Sequence, residues 1–209
     1  MRDPDKTNAT GGRRRETNTM ATRDAMISAG RAAFSERGFA GASLEQIVVD
    51  AGVTTGALYH HFGNKKALFQ AVAESIEQEI LEQITAQLTD RMSGWEQLER
   101  GLQLTFELCT SAGVHRILFS DAPNVIGMRT WRDIELQYGF GLMHQVLEGL
   151  RASGEIKCDS IDLTARILLG GLIEAVHAAA CADDSGPVIA DAKQTLMGFI
   201  EALRSKPVA

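Results

Sequence analysis

The stretch that decides the fold is LEQIVVDAGVTTGALYHH, residues Leu44–His61. Ser43 precedes it and Gln46 stands three residues after that serine, which is the spacing of a capping box at the start of a helix. Gly52 then interrupts the helical pattern, and Thr54 offers the cap of a second helix. A short helix, a short turn and another short helix together predict a helix-turn-helix.

The side chains of this stretch divide into an inward and an outward set. Apolar residues recur at helical spacing and predict the buried side; they are Leu44, Ile47, Val48, Ala51, Val53, Leu58 and Phe62. The residues left at the exposed start and face of the second helix are Thr54, Thr55, Gly56, Tyr59, His60 and His61. Hydroxyl groups beside the free N–H groups of a helix N-terminus suit phosphate oxygens and base edges, so this face predicts nucleic-acid binding.

Several of these residues keep a second interpretation. Ser43 caps a helix whatever the protein does, and Tyr59 would also suit a packing position with a solvated hydroxyl. The pair His60 and His61 suggests a metal ligand, but adjacent residues point about 100° apart on a helix and no third ligand follows at helical spacing, so no metal is expected. Lys65 opens the next predicted helix, where a bound anion would offset the unfavourable interaction between a cation and the helix dipole.

The charge is divided unevenly along the chain. The net charge is −6, but residues 1–70 hold 10 lysines and arginines against 7 acidic residues, whereas residues 71–209 hold 11 against 20. The first part therefore carries +3 and the second −9. This asymmetry favours a basic head that meets a polyanion and an acidic body that stays away from it.

Composition and cysteine usage favour a cytoplasmic protein. The 209 residues are 44% apolar and 23% charged, and Cys109, Cys158 and Cys181 stand alone without CxxC spacing, so neither a zinc site nor a disulfide framework is expected. The polar N-terminus lacks the apolar stretch of a secretory signal. The longest membrane-span candidate, residues 167–182, contains Glu174 and His177 and is shorter than the roughly 18 residues that span a bilayer, so we expect no membrane insertion.

Helical periods dominate the rest of the chain and predict an all-α fold of about nine helices. The predicted helices run over about 22–37, 44–51, 54–62, 65–92, 95–111, 114–121, 128–153, 160–182 and 188–204. Residues 1–20 are predicted to form a disordered basic tail, in which Arg13–Arg15 serve solubility or form an arm that reaches DNA. Residues 21–66 are predicted to form a three-helix helix-turn-helix domain, and a helix about 40 Å long links it to a helical domain over residues 67–209.

The predicted helix over 160–182 is apolar nearly all round, so it must be covered on two sides. We expect one side to pack on its own core and the other on a second copy of the chain, together with the last helix. The residues predicted for this dimer interface are Ile167, Gly170, Gly171, Leu172, Leu196 and Phe199. The alternative is that both helices complete the core of a monomer.

The helical body also carries a mixed set of apolar and polar residues that suits a buried organic ligand, although most of them would equally suit an ordinary core. The candidates for a ligand site are Phe106, Cys109, His115, Phe119, Met128, Trp131, Tyr138, Met143 and His177. The chain has no GxSxG motif, no phosphate-cradling glycine loop and no HExxH motif. We therefore expect neither enzyme activity nor a cofactor.

A longer pattern surrounds the helix-turn-helix. It reads Gly38-Phe39-x-x-x-Ser43-Leu44-x-x-Ile47-x-x-x-Ala51-Gly52-Val53-Thr54-x-Gly56-x-Leu58-Tyr59-x-His61-Phe62-x-Asn64-Lys65-x-x-Leu68. This pattern resembles the DNA-binding domain of TetR-type transcriptional regulators over about residues 22–70. The resemblance implies a homodimer that binds a palindromic double-stranded operator and carries a small-molecule effector site in its C-terminal domain. By position it implies that Thr55, Gly56 and Ala57 face bases, that Tyr59, His61 and Lys65 meet phosphates, and that Thr54 caps the helix near the DNA backbone.

These observations predict a dimeric regulator, a repressor, whose DNA affinity changes when an organic ligand binds the body. Two alternatives stay open. A DNA-binding dimer without an effector would have a solid body, and a structure with an internal cavity would argue against it. A helical ligand-processing enzyme with a helix-turn-helix head would turn over a bound compound.

Overall fold

The computed structural model describes the backbone of residues 8–205 and the side chains of residues 19–205. Over that range the structure is all-α and has no β-strand, with one isolated bridge between Ile156 and Arg204. The helices are α1 (Asn8–Gly41), α2 (Leu44–Asp50), α3 (Thr55–His61), α4 (Lys65–Gln87), α5 (Gly94–Cys109), α6 (Ala112–His115), α7 (Ala122–Val125), α8 (Met128–Glu135), α9 (Gly141–Ala152), α10 (Ile161–Ala180) and α11 (Ser185–Glu201).

Two segments have the wider turn of a π-helix. Arg116–Asp121 joins α6 to α7, and Leu136–Phe140 joins α8 to α9, so each pair forms one continuous helical run. With each run counted once, the described part of the chain contains nine helical segments. The all-α prediction is confirmed.

The chain divides into two compact units with a boundary between Ser75 and Ile76. We call the first unit the head and the second the body. The predicted boundary after residue 66 falls in the first turn of α4, because this helix begins in the head and ends in the body. The head contains α1, α2, α3 and the first half of α4, and the body contains the rest.

Aromatic side chains form the centre of the head. Phe34 of α1 and Phe69 of α4 are fully buried, with ring centroids 5.1 Å apart in an edge-to-face arrangement. Phe39 packs on Phe69 in the same way at 5.3 Å. A Cβ atom added at Gly30 would lie 3.2 Å from Val72 Cγ2, so this glycine lets α1 approach α4 closely. The core therefore fixes both helices that flank the helix-turn-helix.

Two helix boundaries differ from the predictions. The sequence predicts that Thr22 caps the first helix, but this helix begins at Asn8, so Thr22 lies inside it. Residues 1–7 of the predicted tail lie outside the described residues. Threonine inside a helix costs only about half a kcal/mol relative to alanine, so it does not force a helix to start there. The fourth helix ends at Gln87 rather than near Met92, because Ser93 forms a complete capping box with Glu96 and starts a new helix.

The body is a bundle in which α5, α9, α10 and α11 pack on one another. Its buried residues include Leu98 and Leu102 of α5, Leu147 of α9 and Ile200 of α11. This core surrounds a cavity, which is described below.

Candidate functional site

Side-chain caps position the helix-turn-helix. Ser43 Oγ accepts a hydrogen bond from the backbone N–H of Gln46 at 3.3 Å, and Thr54 Oγ1 accepts one from Ala57 N–H at 3.1 Å. Gly52, in the turn, has φ +65°, a conformation that glycine adopts without strain. The reciprocal half of the predicted capping box is absent, because the side-chain amide of Gln46 donates to Asp50 instead, at 2.8 Å.

The outer face of α3 presents the residues that the sequence predicts for it. Thr54, Thr55, Gly56 and His60 are exposed. The exposed fraction of Tyr59 is 55%, which is high for an aromatic residue. On the opposite side Leu58 is fully buried in the head, while Ala57 and His61 are half-buried. This amphipathic division leaves a polar, hydroxyl-rich surface at the N-terminal end of α3, where backbone N–H groups are also free to bind an anion.

Lys65 stands at the first position of α4, after a cap in which Asn64 Oδ1 accepts from Ala67 N–H at 2.9 Å. The Lys65 ammonium lies 4.7 Å from the centroid of the Phe39 ring, a cation–π contact that holds it at the surface of the head. The Lys65 charge also interacts with the carboxylate of Glu45. The pKa of Glu45 is lowered mainly by a hydrogen bond from the Ser43 hydroxyl, and to a smaller extent by Lys65.

The body contains a cavity of about 110 Å³ that is open to solvent. Its walls are largely apolar and come from α4, α5, the π-helical segments, α9 and α10. Representative lining residues are Ile80, Leu81, Leu102, Leu142, Leu169 and Ile173. An apolar cavity of this kind, with a few polar groups, is typical of a binding site for a small organic molecule.

Two carboxyl groups face this apolar space, Glu77 from α4 and Glu135 from α8. Burial raises the pKa of Glu77 to about 7. The pKa of Glu135 is raised to about 8, mainly by burial and further by the nearby Glu77, with Arg132 acting in the opposite direction. Both residues were missed by the sequence analysis. A signal existed for Glu77, which lies three and seven residues before Ile80 and Ile84 on the buried stripe of α4.

The predicted ligand-site residues are only partly brought together. Cys109, Phe119, Tyr138 and Met143 line the cavity. The other five do not line it: Phe106 is buried in the core, Met128 is 59% exposed, Trp131 lies elsewhere on α8, and His115 and His177 form a separate group. Helical spacing identifies which residues face inward, but it does not distinguish a packed core from a cavity wall.

His115, at the end of α6, and His177 on α10 lie next to each other with Cys181. The distance from His115 Nε2 to His177 Nδ1 is 3.2 Å, and Cys181 Sγ lies 3.9 Å from His177 Nε2. One ligand atom from each of the three residues can be chosen so that all lie within 4.8 Å of one another. Burial, followed by the neighbouring His177, lowers the pKa of His115, which favours its neutral form.

The predicted dimer-interface residues also separate into two groups. Ile167 on α10 and Phe199 on α11 have exposed fractions of 65% and 61%, and Leu163 adds another exposed apolar side chain at 57%. Leu172 and Leu196 are buried inside the body, with exposed fractions of 5% and 4%, so they have little surface of their own to offer a partner. Gly171 is exposed and Gly170 half-buried.

Among the described residues, one helix, Ile161–Ala180, is long and apolar enough to span a membrane by length and composition, with a mean hydropathy of 1.4 in its most apolar window. Core helices of soluble proteins pass the same test. In this structure α10 packs against α5, α9 and α11 of the body. About a third of that window is buried inside the structure.

A capped helix-turn-helix with a polar outer face, followed in the chain by a helical body, is the arrangement of a class of helical transcriptional regulators. Comparison with known families agrees. Residues 26–72 match the family of bacterial regulatory proteins called tetR, and residues 95–203, just over half of the chain, match the tetracyclin repressor-like C-terminal domain. The chain belongs to the TetR family of transcriptional regulators.

Individual relatives extend this similarity over nearly the whole chain. The transposon Tn10 TetC protein of Escherichia coli is 28% identical over 91% of this chain and 96% of its own length. The crystal structure of a TetR-family regulator from Pectobacterium atrosepticum is 28% identical, with a TM-score of 0.76 over 92% of this chain and 98% of its own. The regulator TtgR of Pseudomonas putida is 44% identical over 64 residues.

Proposed function

We propose that this TetR-family regulator is a cytoplasmic repressor that binds a palindromic operator as a homodimer and changes its DNA affinity when a small organic effector enters the body. The observation that carries the proposal is the exposed, capped face of α3, with Thr54, Thr55, Gly56, Tyr59 and His60 open to solvent. In a helix-turn-helix the second helix enters the major groove with its N-terminal residues toward the base edges.

Each residue has a role in this proposal. Thr55, Gly56 and Ala57, in the first turn of α3, face the bases, and the absence of a side chain at Gly56 allows the backbone to come close to the groove. Tyr59 and His61 meet phosphates of one strand. Lys65, Thr54, His60 and Ser43 contact the DNA backbone at the edges of the site, where the cation at Lys65 supplies affinity without sequence preference.

The dimer is supported by the exposed apolar side chains of α10 and α11. Leu163, Ile167 and Phe199 are each more than half exposed, whereas other large apolar residues of the same helices, such as Leu168 and Ile200, are buried. A two-fold axis through this surface would bring the same side chains of two copies together and form a four-helix interface. Two heads would then read the two halves of a palindromic operator.

Helix α4 is the proposed route from effector to DNA. It carries Lys65 in the head and Glu77 at the cavity, about 18 Å further along the same helix. An effector that prefers one position of α4 would shift the population of states and so change how the two heads match the operator. The cavity favours this mechanism over a body that serves dimerisation only.

Selection of bound genomic fragments by the purified protein would identify the operator and test the first part of the proposal. Thr55→Ala is expected to change the ranking of operator point variants, because this residue lies at the base edges in the proposed complex. Loss of affinity for all sequences alike would contradict its assignment.

The dimer is tested separately by sedimentation. Phe199→Asp and Ile167→Asp are expected to lower both the dimer fraction and operator affinity, because a buried charge opposes association. Met128→Asp is the matched control, since Met128 is an exposed apolar residue of α8, at 59% exposure. A 22.6 kDa particle at all concentrations of the unaltered protein would contradict the proposal.

A further inference from the structure

The cavity of the body is apolar except for a small number of groups, and these share one sign of charge. Glu77 and Glu135 are the carboxyl groups that line it. The other titratable groups on its wall are the Cys109 thiol and the Tyr138 hydroxyl. Arg132, on the same helix as Glu135, is the cation that pairs with the Glu135 carboxylate, and α9 and α10 contribute only apolar residues to the wall.

Glu135 is 4% exposed, and neither of its carboxylate oxygens has a hydrogen-bond partner in the part of the chain that the structure describes. Arg132 Nη1 lies 3.7 Å from Oε2, which is beyond hydrogen-bond length, and the Arg132 side chain is 47% exposed. A buried carboxylate without a partner costs several kcal/mol, so such a group either holds a proton or awaits a partner from outside the chain.

The charges around Glu135 decide which kind of ligand group can pair with its carboxyl. Burial raises the pKa of Glu135 and of the Cys109 thiol; Glu77 raises both further, and Glu135 adds to the shift of Cys109, so the cavity already resists negative charge. A ligand carboxylate or phosphate would add to this repulsion, whereas a cation would relieve it and supply the missing hydrogen-bond donors.

We propose that the effector is an apolar organic cation, such as a protonated amine or an amidine on a hydrophobic body, with its charged group on Glu135 and with Glu77 as a second acceptor. This inference rests on the proposed function, because it names the chemical class of the effector. The apolar walls take the hydrophobic body, and the two carboxylates select against neutral and anionic compounds of the same shape.

Decylamine, decanol and decanoate share one alkyl chain and differ in the charge of the head group, so they test the proposal as a matched set. Binding to the full-length protein is measured by calorimetry at pH 8, below the concentrations at which these compounds form micelles. Decylamine is expected to bind at least about tenfold more tightly than decanol and decanoate, since charge-assisted hydrogen bonds in a buried site are worth that factor or more. Equal binding of all three compounds would overturn the proposal.

Glu135→Gln keeps the shape of the side chain and removes the charge. It is expected to weaken decylamine binding by about tenfold or more and to leave decanol unchanged. Glu82→Gln is the matched control, because Glu82 is an exposed glutamate on the same helix as Glu77 and does not line the cavity. Thermal melting of each variant confirms that it is folded. If Glu135→Gln and Glu82→Gln bind decylamine equally well, the carboxylate is not the recognition group.

Two further measurements separate this inference from the proposed function. Proton release on decylamine binding, obtained from calorimetry in two buffers, is expected near pH 7.5, because a cation stabilises carboxylates that would otherwise hold protons. Operator binding by the ligand-free protein tests the proposed function without any amine. A protein that binds its operator but prefers decanoate or decanol to decylamine overturns the cationic effector alone.

A second surface is independent of the cavity. His177 lies in the last turn of α10 and Cys181, four residues later, is the C-cap of this helix, so their side chains lie on the same face; His115 reaches them from the end of α6. The separation of 3.2 Å between His115 Nε2 and His177 Nδ1 is close to the spacing of two nitrogen ligands around one tetrahedral metal ion.

We propose that His115, His177 and Cys181 bind a thiophilic divalent ion such as Zn²⁺, with water completing the tetrahedron. Two imidazoles and a thiolate form a donor set that zinc prefers, and exposure of Cys181 gives the ion access. Sequence spacing could not suggest the site, because His115 is 62 residues away from His177.

Titration with Co²⁺ alone tests this site, because a cobalt–thiolate bond produces a charge-transfer band in the near ultraviolet. The full-length protein is expected to give this band at one equivalent, and Cys181→Ser and His177→Ala are expected to lose it. Cys158→Ser is the control, since Cys158 is a half-buried thiol outside the cluster. No band in the unaltered protein, or a band that Cys158→Ser removes, overturns the proposal.

Discussion

The head and the body place their polar groups in opposite surroundings. In the head, Thr55, Tyr59 and His60 stand on the outer face of α3 in contact with solvent. In the body, Glu77 and Glu135 face an apolar cavity, where burial raises the pKa of both carboxyls. The head exposes neutral hydroxyls and rings, which stay hydrated, so their position costs little free energy. The body holds acidic groups away from water, where the charged form is strongly destabilised.

The difference teaches how each unit selects a partner. Exposed groups interact with a large, charged partner whose water shell is only partly removed, so each contact contributes little and many are needed. A buried carboxyl is already dehydrated, so a single complementary group on a small molecule gains the full benefit of pairing.

Phe69→Ala is expected to destabilise the head by about 3–5 kcal/mol, because it removes a fully buried ring that packs on Phe34 and Phe39. Both tryptophans, Trp95 and Trp131, lie in the body, so their fluorescence reports the body alone. Urea unfolding followed by circular dichroism should therefore show an early loss of helix that the fluorescence does not show.

Val49→Ala is the control for this experiment. Val49 is 70% exposed on α2, so its truncation should change stability by less than about 0.5 kcal/mol. If Phe69→Ala lowers the urea midpoint equally by circular dichroism and by fluorescence, head and body unfold as one unit.

The stability of the body is expected to fall as the pH rises from 5 to 8. The folded-state pKa of Glu135 is raised to about 8, so between pH 5 and pH 8 the folded protein retains a proton that the unfolded chain releases. The contribution is of the order of 3 kcal/mol, and Glu77, with its pKa raised to about 7, adds in the same direction. Urea unfolding followed by tryptophan fluorescence at several pH values measures it.

Glu135→Gln should remove most of this pH dependence, and Glu82→Gln should retain it. A body whose stability rises over the same interval would show that Glu135 is ionised and paired in the folded protein.

Lys65→Ala is expected to weaken specific and non-specific DNA binding about equally. Two copies in a dimer should lower the slope of log K against log salt by up to about 2, because each released phosphate charge counts for roughly 0.9. Lys157→Ala removes an exposed cation from the body and should leave the slope unchanged. An unchanged slope in Lys65→Ala would place this ammonium outside the DNA contact.

Tyr59→Phe is the smallest change. Loss of one neutral hydroxyl bond to phosphate should cost about 1 kcal/mol per subunit, with little change in the salt slope. Operator titrations at several salt concentrations distinguish this outcome from that of Lys65→Ala. Unchanged affinity would show that the Tyr59 ring packs at the surface without binding phosphate.

The head could be predicted from the sequence because its features are local. The caps that the sequence predicts at Ser43 and Thr54 act within three residues, and both are present in the structure. The outward face of α3 follows from the helical period, since Leu58 fixes the inner side and Thr55 and Tyr59 follow on the outer side. The contacts of these residues with DNA stay predictions.

The body could be predicted only in outline, because its site depends on contacts between distant segments. Glu77 and Glu135 lie on different helices and are 58 positions apart in the sequence, and neither belongs to a recognisable motif. The π-helical turn after Glu135 also breaks the 3.6-residue period, so pattern analysis loses the facing direction at that point. Contacts between segments also decide the burial of Leu172 and Leu196. The sequence pattern predicts them at a dimer interface, but packing of α10 on α11 buries them.

The wide turn at Leu136–Phe140 has a genetic consequence. A π-helical turn accommodates one residue more than an α-helical turn, so deletion of a single codon there, for example that of the exposed Gln137, would restore the ordinary period. Everything before the deletion would then rotate by about 100° relative to α9, and Glu135 would leave the cavity wall. A change in the length of this one turn would therefore change which ligands the cavity prefers, although Glu135 itself would still be present in the sequence.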